Sequence, residues 1–569
     1  MRADHAFLLS RRPVPARRPS RAAGPRALRD VVTRSLALRA RVEPRPEPRF
    51  DRLYDPLVAD VVHGGPLSRR RFATAWSDAA ALARLGEAKR APFPAALARE
   101  LAELHRRLGA SAASLAALDR LARGEAVCAI AGQQPAPLGG PLYSLHKIAT
   151  AVGIARTFAA RTGVPCVPVF WVHNEDSDFA EIRSASVADP TLTSHEVSLP
   201  DSAHADGGLV GGIASSVLLP LEEEAQRLWG DLPGAAAVGG LLARARGAAR
   251  DLGEAHAALV LALFAEQGLV VVDPRLPAFR SAARTVIDRY LARADELSAA
   301  ASAAGEELER AIGRRPLADS ALESFVFAIE DGRRHKVAPG DARARTGAIV
   351  LSPNVALRPA VQDGVLPTVA MACGPAELAY LAQLKEVFTG LDVQPACPVP
   401  RLGATWLPPA AVAMLEASGA DPWDLVTGAD QVLKRHAEGQ VPADVRDALE
   451  RAHQVALAGL SGVAESSRRV DASLPQLVES ARAKVDYQFT RLREGIAAKV
   501  RHQIERRNPE WLRVRYYLLP GDKLQERRLA SLELAAYRGT EVAGELSDLA
   551  AEHAERVARG AFEHLVPEL

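Results

Sequence analysis

The sequence has few cysteines, no long apolar run and almost no excess charge. Four cysteines in 569 residues, Cys128, Cys166, Cys373 and Cys397, stand far apart with no CxxC pairing. That spacing argues against a disulfide framework, and no structural zinc is expected from it. Three of the four lie inside apolar runs, where cysteine usually serves as a small buried hydrophobe. A cytoplasmic setting is the expectation that follows. No stretch approaches about 18 consecutive apolar residues, so neither a transmembrane helix nor a membrane partner is expected. Lys+Arg 71 against Asp+Glu 69 leaves a net charge of +2, which gives no electrostatic reason for a nucleic-acid partner. The first residues also lack an apolar h-region followed by a small-residue cleavage site. Residues 1–49, rich in Arg and Pro, are expected to form a disordered extension or to reflect a start placed too far upstream. The folded part of the chain is expected to begin near Phe50.

What is present is a change of period. From about Leu67 to Arg123 apolar residues recur at three and four, a helical pattern. Ala126 to Ile130 is then a short apolar run ending at Gly132, and Val164 to Val172 is a second, with a helix expected over Leu142 to Arg161. A strand, a loop, a helix and a second strand make a parallel unit with a right-handed crossover. Gly268 to Asp273 reads as another strand, followed by a helix over Pro277 to Ala304. Ala348 to Leu351 and Pro367 to Ala372 are strand candidates, and Pro375 to Phe388 is a helix. This alternation predicts an α/β fold, a Rossmann-like parallel-sheet core with connecting segments, over residues 50–421. Residues 422–510 change character. From Val441 to Arg507 the chain is dense in Ala, Leu, Glu, Arg and Lys with no proline after Pro442, apart from one at 475, and predicts a long helical coiled-coil domain, most simply an antiparallel hairpin. Residues 511–569 are expected to return to the core, with Val514 to Leu519 as a strand and helices after it.

Three constellations carry candidate chemistry. The first is Gly132-Gln133-Gln134, then Gly139-Gly140, Tyr143 and Lys147, where a strand gives way to a helix opened by Pro141. Loops leaving the carboxyl ends of parallel strands are where ligands bind, and a helix N-terminus there favours an anion. The alternative is an ordinary Gly-Pro turn. The second is His173, Glu175, Asp176 and Asp178 after the next strand. Clustered carboxylates raise one another's pKa unless a cation sits among them, and one could act as a general base. The alternative is an acidic helix start answering the helix dipole. The third gathers Asn354, Arg358, Gly374, Glu377 and Tyr380. Arg358 could pair bidentately with a carboxylate, and Glu377 and Tyr380 share a helix face. A structural ion pair with a helix cap is an equal alternative for each of these residues.

Taken in order, AGQQPAPLGGPLYSLHK, PVFWVHNEDSDFAEI, GLVVVD, LSPNVALRPAVQD, LPTVAMACGPAELAYLAQLKEVF and the YYL…QER tail resemble the bacillithiol biosynthesis cysteine-adding enzyme family (BshC). The resemblance implies a Rossmann-like core interrupted by connecting segments, and a coiled coil that promotes homodimers. It implies a ligase adding cysteine to the amino group of glucosaminyl-malate, the last step of bacillithiol synthesis. Forming an amide from a free carboxylate is uphill in water, so ATP is expected as the activating donor, with Mg²⁺ a candidate companion and its ligands unassigned. This chain departs from the family in reading NEDSD where GEDHD or TEDHD is usual, so Ser177 replaces a histidine. PRLGATW stands for the usual Pro-Ser-Phe stretch, and His146 for a tyrosine. His173 is a candidate substitute for the missing histidine. The alternatives are a ligase diverged toward another amine acceptor, and a non-catalytic homologue that binds a nucleotide or a partner.

Overall fold

Short apolar runs that do not alternate suit strands buried on both faces, because such strands have no polar side to present. Five such runs form the centre of the computed structural model, which describes residues 37–45 and 56–569. They are Val127–Gln133 (β1), Cys166–Val172 (β2), Val270–Val272 (β3), Thr368–Cys373 (β4) and Cys397–Pro400 (β5). Every pairing is parallel, in the order β5-β4-β1-β2-β3. That is the doubly wound order, with its reversal between β1 and β4. The expected Rossmann-like α/β core is present.

The helices follow the same logic. Leu142–Thr162 (α1) returns from β1 to β2, and Pro277–Ala292 (α2) leaves β3. Arg358–Val365 (α3) precedes β4 and Pro375–Gln383 (α4) follows it. Further along lie Ala443–Ser467 (α5), Leu474–Arg507 (α6) and Val542–Ala558 (α7). On α1, Leu142, Leu145, Ile148, Val152 and Phe158 are all 3% exposed or less. Each such side chain stabilises the fold by roughly 1.5–3 kcal/mol through burial. Gly153 makes this packing possible, since a Cβ there would stand 2.4 Å from the carbonyl carbon of Ala550 on α7. Only glycine lets the two backbones come so close.

Two connecting segments interrupt the core. The one after β2 carries the antiparallel hairpin Ser184–Ala188 and Ser194–Ser198. The one after β3 carries an antiparallel sheet of Val326–Glu330 flanked by Arg333–Lys336 and Val350–Pro353. The helix expected over Pro277 to Ala304 breaks at Arg293, whose φ of −131° leaves the helical region, and resumes over Ala294–Ile312. The expected helical hairpin is seen in α5 and α6. Arg493 pairs with Glu450 at 2.8 Å and Asp486 with His453 at 2.7 Å, so the two helices run antiparallel.

Two expectations fail. Val514 to Leu519 is not a strand: Val514 to Leu518 belong to the helix Trp511–Leu518, and Leu519 is its C-cap. Its aromatic and β-branched content suits a strand, yet the buried residues Trp511, Val514, Tyr517 and Leu518 fall at helical spacing. The second concerns the stretch assigned to a disordered N-terminal extension. Of residues 1–49, those at 1–36 and 46–49 lie outside the described residues. Leu38–Val42, however, is a strand, pairing antiparallel with His564–Pro567, which also pairs parallel with Gly403–Ala404. Arg39 bonds to Glu568 and Arg41 to Glu552, so the arginines that suggested disorder are surface partners of the C-terminus. A partner more than 500 positions away leaves no local signal.

No described helix is long and apolar enough to cross a membrane. The four cysteines are free, and burial pushes the Cys128 thiol up to about 12.

Candidate active site

At the carboxyl ends of β2 and β3 the sheet opens into a cavity of about 590 Å³. Trp171 of β2, the loop residues His173, Glu175 and Asp176, and Pro274 after β3 make its floor. The opposite wall comes from the second connecting segment: Phe327 and Arg334 of the antiparallel sheet, then Ser352, Asn354 and Arg358. Of the residues expected from sequence, His173, Glu175, Asp176, Asn354 and Arg358 therefore share one cavity.

The acidic loop is not a uniform cluster. Glu175 is 7% exposed and accepts two hydrogen bonds from Arg280 of α2, at 2.7 and 3.1 Å. Burial raises its pKa and Arg280 offsets this only in part. Asp176 accepts from Gln134 Nε2 at 2.8 Å and from the Ser177 N–H at 2.7 Å, with Arg334 at 3.7 Å. Asp178 is exposed and caps the short helix Phe179–Ile182, accepting from the Glu181 N–H at 3.1 Å. It is a helix cap outside the cavity wall, which corrects its expected catalytic place. Ser177 also lies outside that wall.

His173 packs over the end of β1. A Cβ on Gly132 would stand 2.6 Å from His173 Nε2, so the glycine makes room for the imidazole. Burial, then the charges of Arg358, Lys147 and Arg334, hold its pKa well below the usual imidazole value. The ring is neutral near pH 7, and its Nε2 is buried without a partner among the described residues.

At the sheet reversal Lys147, Glu377, Gln133 and Tyr143 are paired with one another or with the backbone. Lys147 Nζ, 6% exposed as a residue, donates to Gly132 O at 3.0 Å and Gln133 Oε1 at 3.2 Å, and pairs with Glu377 Oε2 at 2.7 Å. An ammonium has three donors, and three acceptors already surround it. Lys147 is therefore committed to the fold, a correction to its expected reach toward a phosphate. Glu377 also accepts from the Gly374 N–H at 2.8 Å. Gln133 Nε2 donates to the Tyr143 hydroxyl at 3.1 Å, and burial pushes that hydroxyl up to about 12. Gly374, Glu377, Gln133 and Tyr143 thus tie β1, α1 and α4 together instead of lining the cavity.

The glycine loop differs from expectation as well. Gly139 and Gly140 have φ of 80° and 73°, the left-handed turn that glycine adopts without a Cβ penalty. Both are buried, and Gly140 O accepts from the Ser531 N–H at 2.7 Å, while the Leu142 N–H donates to Leu529 O at 2.8 Å. The start of α1 is covered by residues 529–531 and does not cradle a ligand. Asn354 borders the cavity but is spent on its own loop: its amide donates to Ala321 O and Ser324 O, and its Oδ1 accepts from the Ala356 and Leu357 N–H groups. Tyr380 stands behind Arg358, accepting from its Nη2 at 2.8 Å.

Several residues escaped the sequence reading. Arg280 and Arg334 carry no local motif, being one arginine on an amphipathic helix and one in a basic hairpin. Glu526 was visible only as part of the tail. It is 1% exposed, with Arg401 at 2.6 and 2.9 Å and His146 at 3.1 Å. Burial would raise its pKa, but Arg401 and His146 hold the carboxyl well below the usual range. Among the described residues no three His, Cys, Asp or Glu side chains converge on a point that could hold a metal ion.

Comparison with known proteins agrees with this architecture. The family described as bacillithiol biosynthesis BshC, N-terminal Rossmann-like domain, matches residues 52–402. A protein of Koribacter versatilis named "Putative cysteine ligase BshC" is 31% identical over 473 residues, covering 80% of this chain and 87% of its own length. A protein of the same name from Geobacillus kaustophilus is 29% identical over 501 residues, covering 83% of this chain and 91% of its own.

Proposed function

The chain belongs to the bacillithiol biosynthesis BshC family, and from that membership we propose that it is a ligase joining the carboxylate of cysteine to the amino group of glucosaminyl-malate. The observation that carries this reading is the cavity at the carboxyl ends of β2 and β3, where Arg334 Nε, Arg358 Nη1 and His173 Nε2 have no hydrogen-bond partner among the described residues. Buried polar groups without partners are costly, and a ligand that satisfies them recovers that cost. In this reading ATP activates the cysteine carboxylate, and the amine then displaces the activating group. His173, neutral and facing the cavity, accepts a hydrogen bond from the reacting amine after its ring turns away from Gly132. Glu175, fixed by Arg280, and Asp176, fixed by Gln134, orient that amine through their carboxylates. A Mg²⁺ accompanying ATP would rely on phosphate oxygens and water, with Asp176 of the cavity wall the carboxylate that could join them, a binding mode this ion commonly uses.

The helical hairpin supports a homodimer. Val455, Val463, Leu477 and Leu492 on α5 and α6 are 53–73% exposed, an apolar display that a second copy would cover. The replacement of a histidine by Ser177 favours a ligase with an altered acceptor as the second reading. Because Ser177 lies outside the cavity wall, the unaltered acceptor is the better supported of the two. The test is direct. Purified protein with cysteine, ATP and glucosaminyl-malate is expected to give the cysteine amide by mass spectrometry. No amide with this acceptor, but one with another amine, would establish the second reading.

A further inference from the structure

Two guanidiniums face the cavity with donors to spare. Arg334, its side chain 11% exposed, lies 4.0 Å above the Phe327 ring and donates from Nη2 to Pro353 O at 3.0 Å. Its nearest carboxylate, Asp176, is 3.7 Å away and already accepts from Gln134 and Ser177. Arg358 uses Nη2 on Tyr380 and has no ion pair among the described residues. Arg334 Nε and Arg358 Nη1 are both buried without a hydrogen-bond partner. Burial lowers the Arg334 pKa, Asp176 and Glu175 oppose that, and the like charge of Arg358 adds to the lowering. The other charges around the cavity answer this pair only in part: Glu175 is held by Arg280, and Glu323 lies 3.5 Å from Lys336 at the rim.

Two neighbouring cations that repel each other, each with an unpaired N–H, are arranged for a shared oxyanion. A planar guanidinium presents paired donors that match carboxylate or phosphate oxygens. Resting on the ligase reading, we infer that Arg334 and Arg358 jointly hold a carboxylate of the amine-bearing substrate, and that Arg334 makes an acid group a requirement for the acceptor. Arg334 sits on an element inserted into the core, so the connecting segment supplies acceptor specificity while the sheet supplies the cavity floor. A phosphate of the activating nucleotide is the other oxyanion such a pair could take, and the experiment separates the two.

Calorimetric titration of the full chain with malate and, separately, with ATP is performed on the wild type, Arg334→Met and Arg334→Lys. Malate is expected to bind the wild type and to bind Arg334→Met at least about tenfold more weakly, the size of one lost charge-assisted hydrogen-bond pair. Arg334→Lys is expected to recover part of that loss, because charge returns without the fork, and ATP affinity is expected to stay unchanged. Unchanged malate affinity in Arg334→Met, or weakened ATP binding alone, overturns the inference. Matching melting temperatures for the three proteins exclude misfolding as the cause, and Arg334→Lys carries the test if Arg334→Met melts early. If malate binding depends on Arg334 yet no cysteine amide forms, the ligase reading fails and the anion site stands. If the amide forms with wild-type KM for glucosaminyl-malate in Arg334→Met, the site fails and the ligase stands.

Discussion

The exits of β1 and β4 and the exit of β2 look alike in sequence, each a strand followed by glycine or charged residues, but they are opposite in structure. At the first pair, Lys147, Glu377, Gln133 and Tyr143 satisfy one another, and Arg401, Glu526 and His146 close the network behind them. At the second, Arg334, Arg358 and His173 keep unpaired atoms around a cavity. The contrast separates scaffold from site by a physical criterion. A closed polar network stabilises the fold and has nothing left for a ligand, whereas an open one is costly until a ligand completes it.

The largest effect expected from that contrast lies on the closed side. Glu526→Ala leaves Arg401 buried with its charge unanswered, and breaking one partner of a buried pair costs about 3–5 kcal/mol. Urea unfolding should show a loss of that size. A loss below about 1 kcal/mol would mean that water reaches Arg401, and the distinction between closed and open exits would not hold.

How much of this contrast was legible in the sequence depends on the range of each interaction. Four of the five core strands were readable because unbroken apolar runs such as Val167 to Val172 report burial on both faces locally, whereas Cys397–Pro400 was not singled out and the candidate at Ala348 to Leu351 lies in the antiparallel sheet of the connecting segment. The Gly140-Pro141 and Gly374-Pro375 strand exits were readable for the same reason. What covers those exits was not, because Ser531 reaches the first from 390 positions away and Glu526 reaches Arg401 behind the second from 125, and an exposed QER looks the same as a buried one. The acidic loop gave the right neighbourhood and the wrong uniformity. Whether a carboxylate meets Arg280, Gln134 or its own helix start is decided by tertiary placement. Val514 to Leu519 misled because its aromatic and β-branched residues suit a strand while its buried residues fall at helical spacing.

The second effect concerns acid, and it sharpens the comparison by probing a satisfied group at the far edge of the sheet. His105 accepts from the Val271 N–H of β3 through Nε2 at 3.0 Å, while its Nδ1 faces Leu101 O at 2.7 Å, so the ring is neutral with the proton on Nδ1. Burial lowers its pKa to about 4. The unfolded chain, with a histidine near about 6.5, binds the proton more readily, so stability rises with pH across this window. The contribution of His105 is fully present above about 6.5 and is lost as pH falls toward 4, by up to about 3 kcal/mol. His256, His553 and His564, also lowered to about 4 by burial, act in the same direction. Glu533, raised to about 8 by burial, opposes them, since its protonated form is the one the fold prefers. Urea midpoints between pH 4.5 and 7.5 should therefore fall on the acid side, and His105→Gln should flatten the slope by the share of one histidine. A slope unchanged in His105→Gln would show that its ring is solvated in the native state.

The smallest effect tests the boundary of the open site. Asp178 stands two positions beyond Asp176 in the same acidic run, yet its carboxylate is exposed and bonds to the Glu181 N–H as a helix cap. Removing a cap costs about 1 kcal/mol, and the helix it caps has one turn, so Asp178→Ala should lower stability by about that much or less. Asp178→Asn preserves the accepting oxygen and should lower it by a few tenths at most. If the site ends at Asp176, neither variant changes kcat/KM by more than about twofold, an effect within the range of a small positional shift. A tenfold fall in both variants would mean that the negative charge of Asp178 acts on the reacting groups across the loop. The division between a paired scaffold and an open cavity would then have to run through the acidic loop at a different residue.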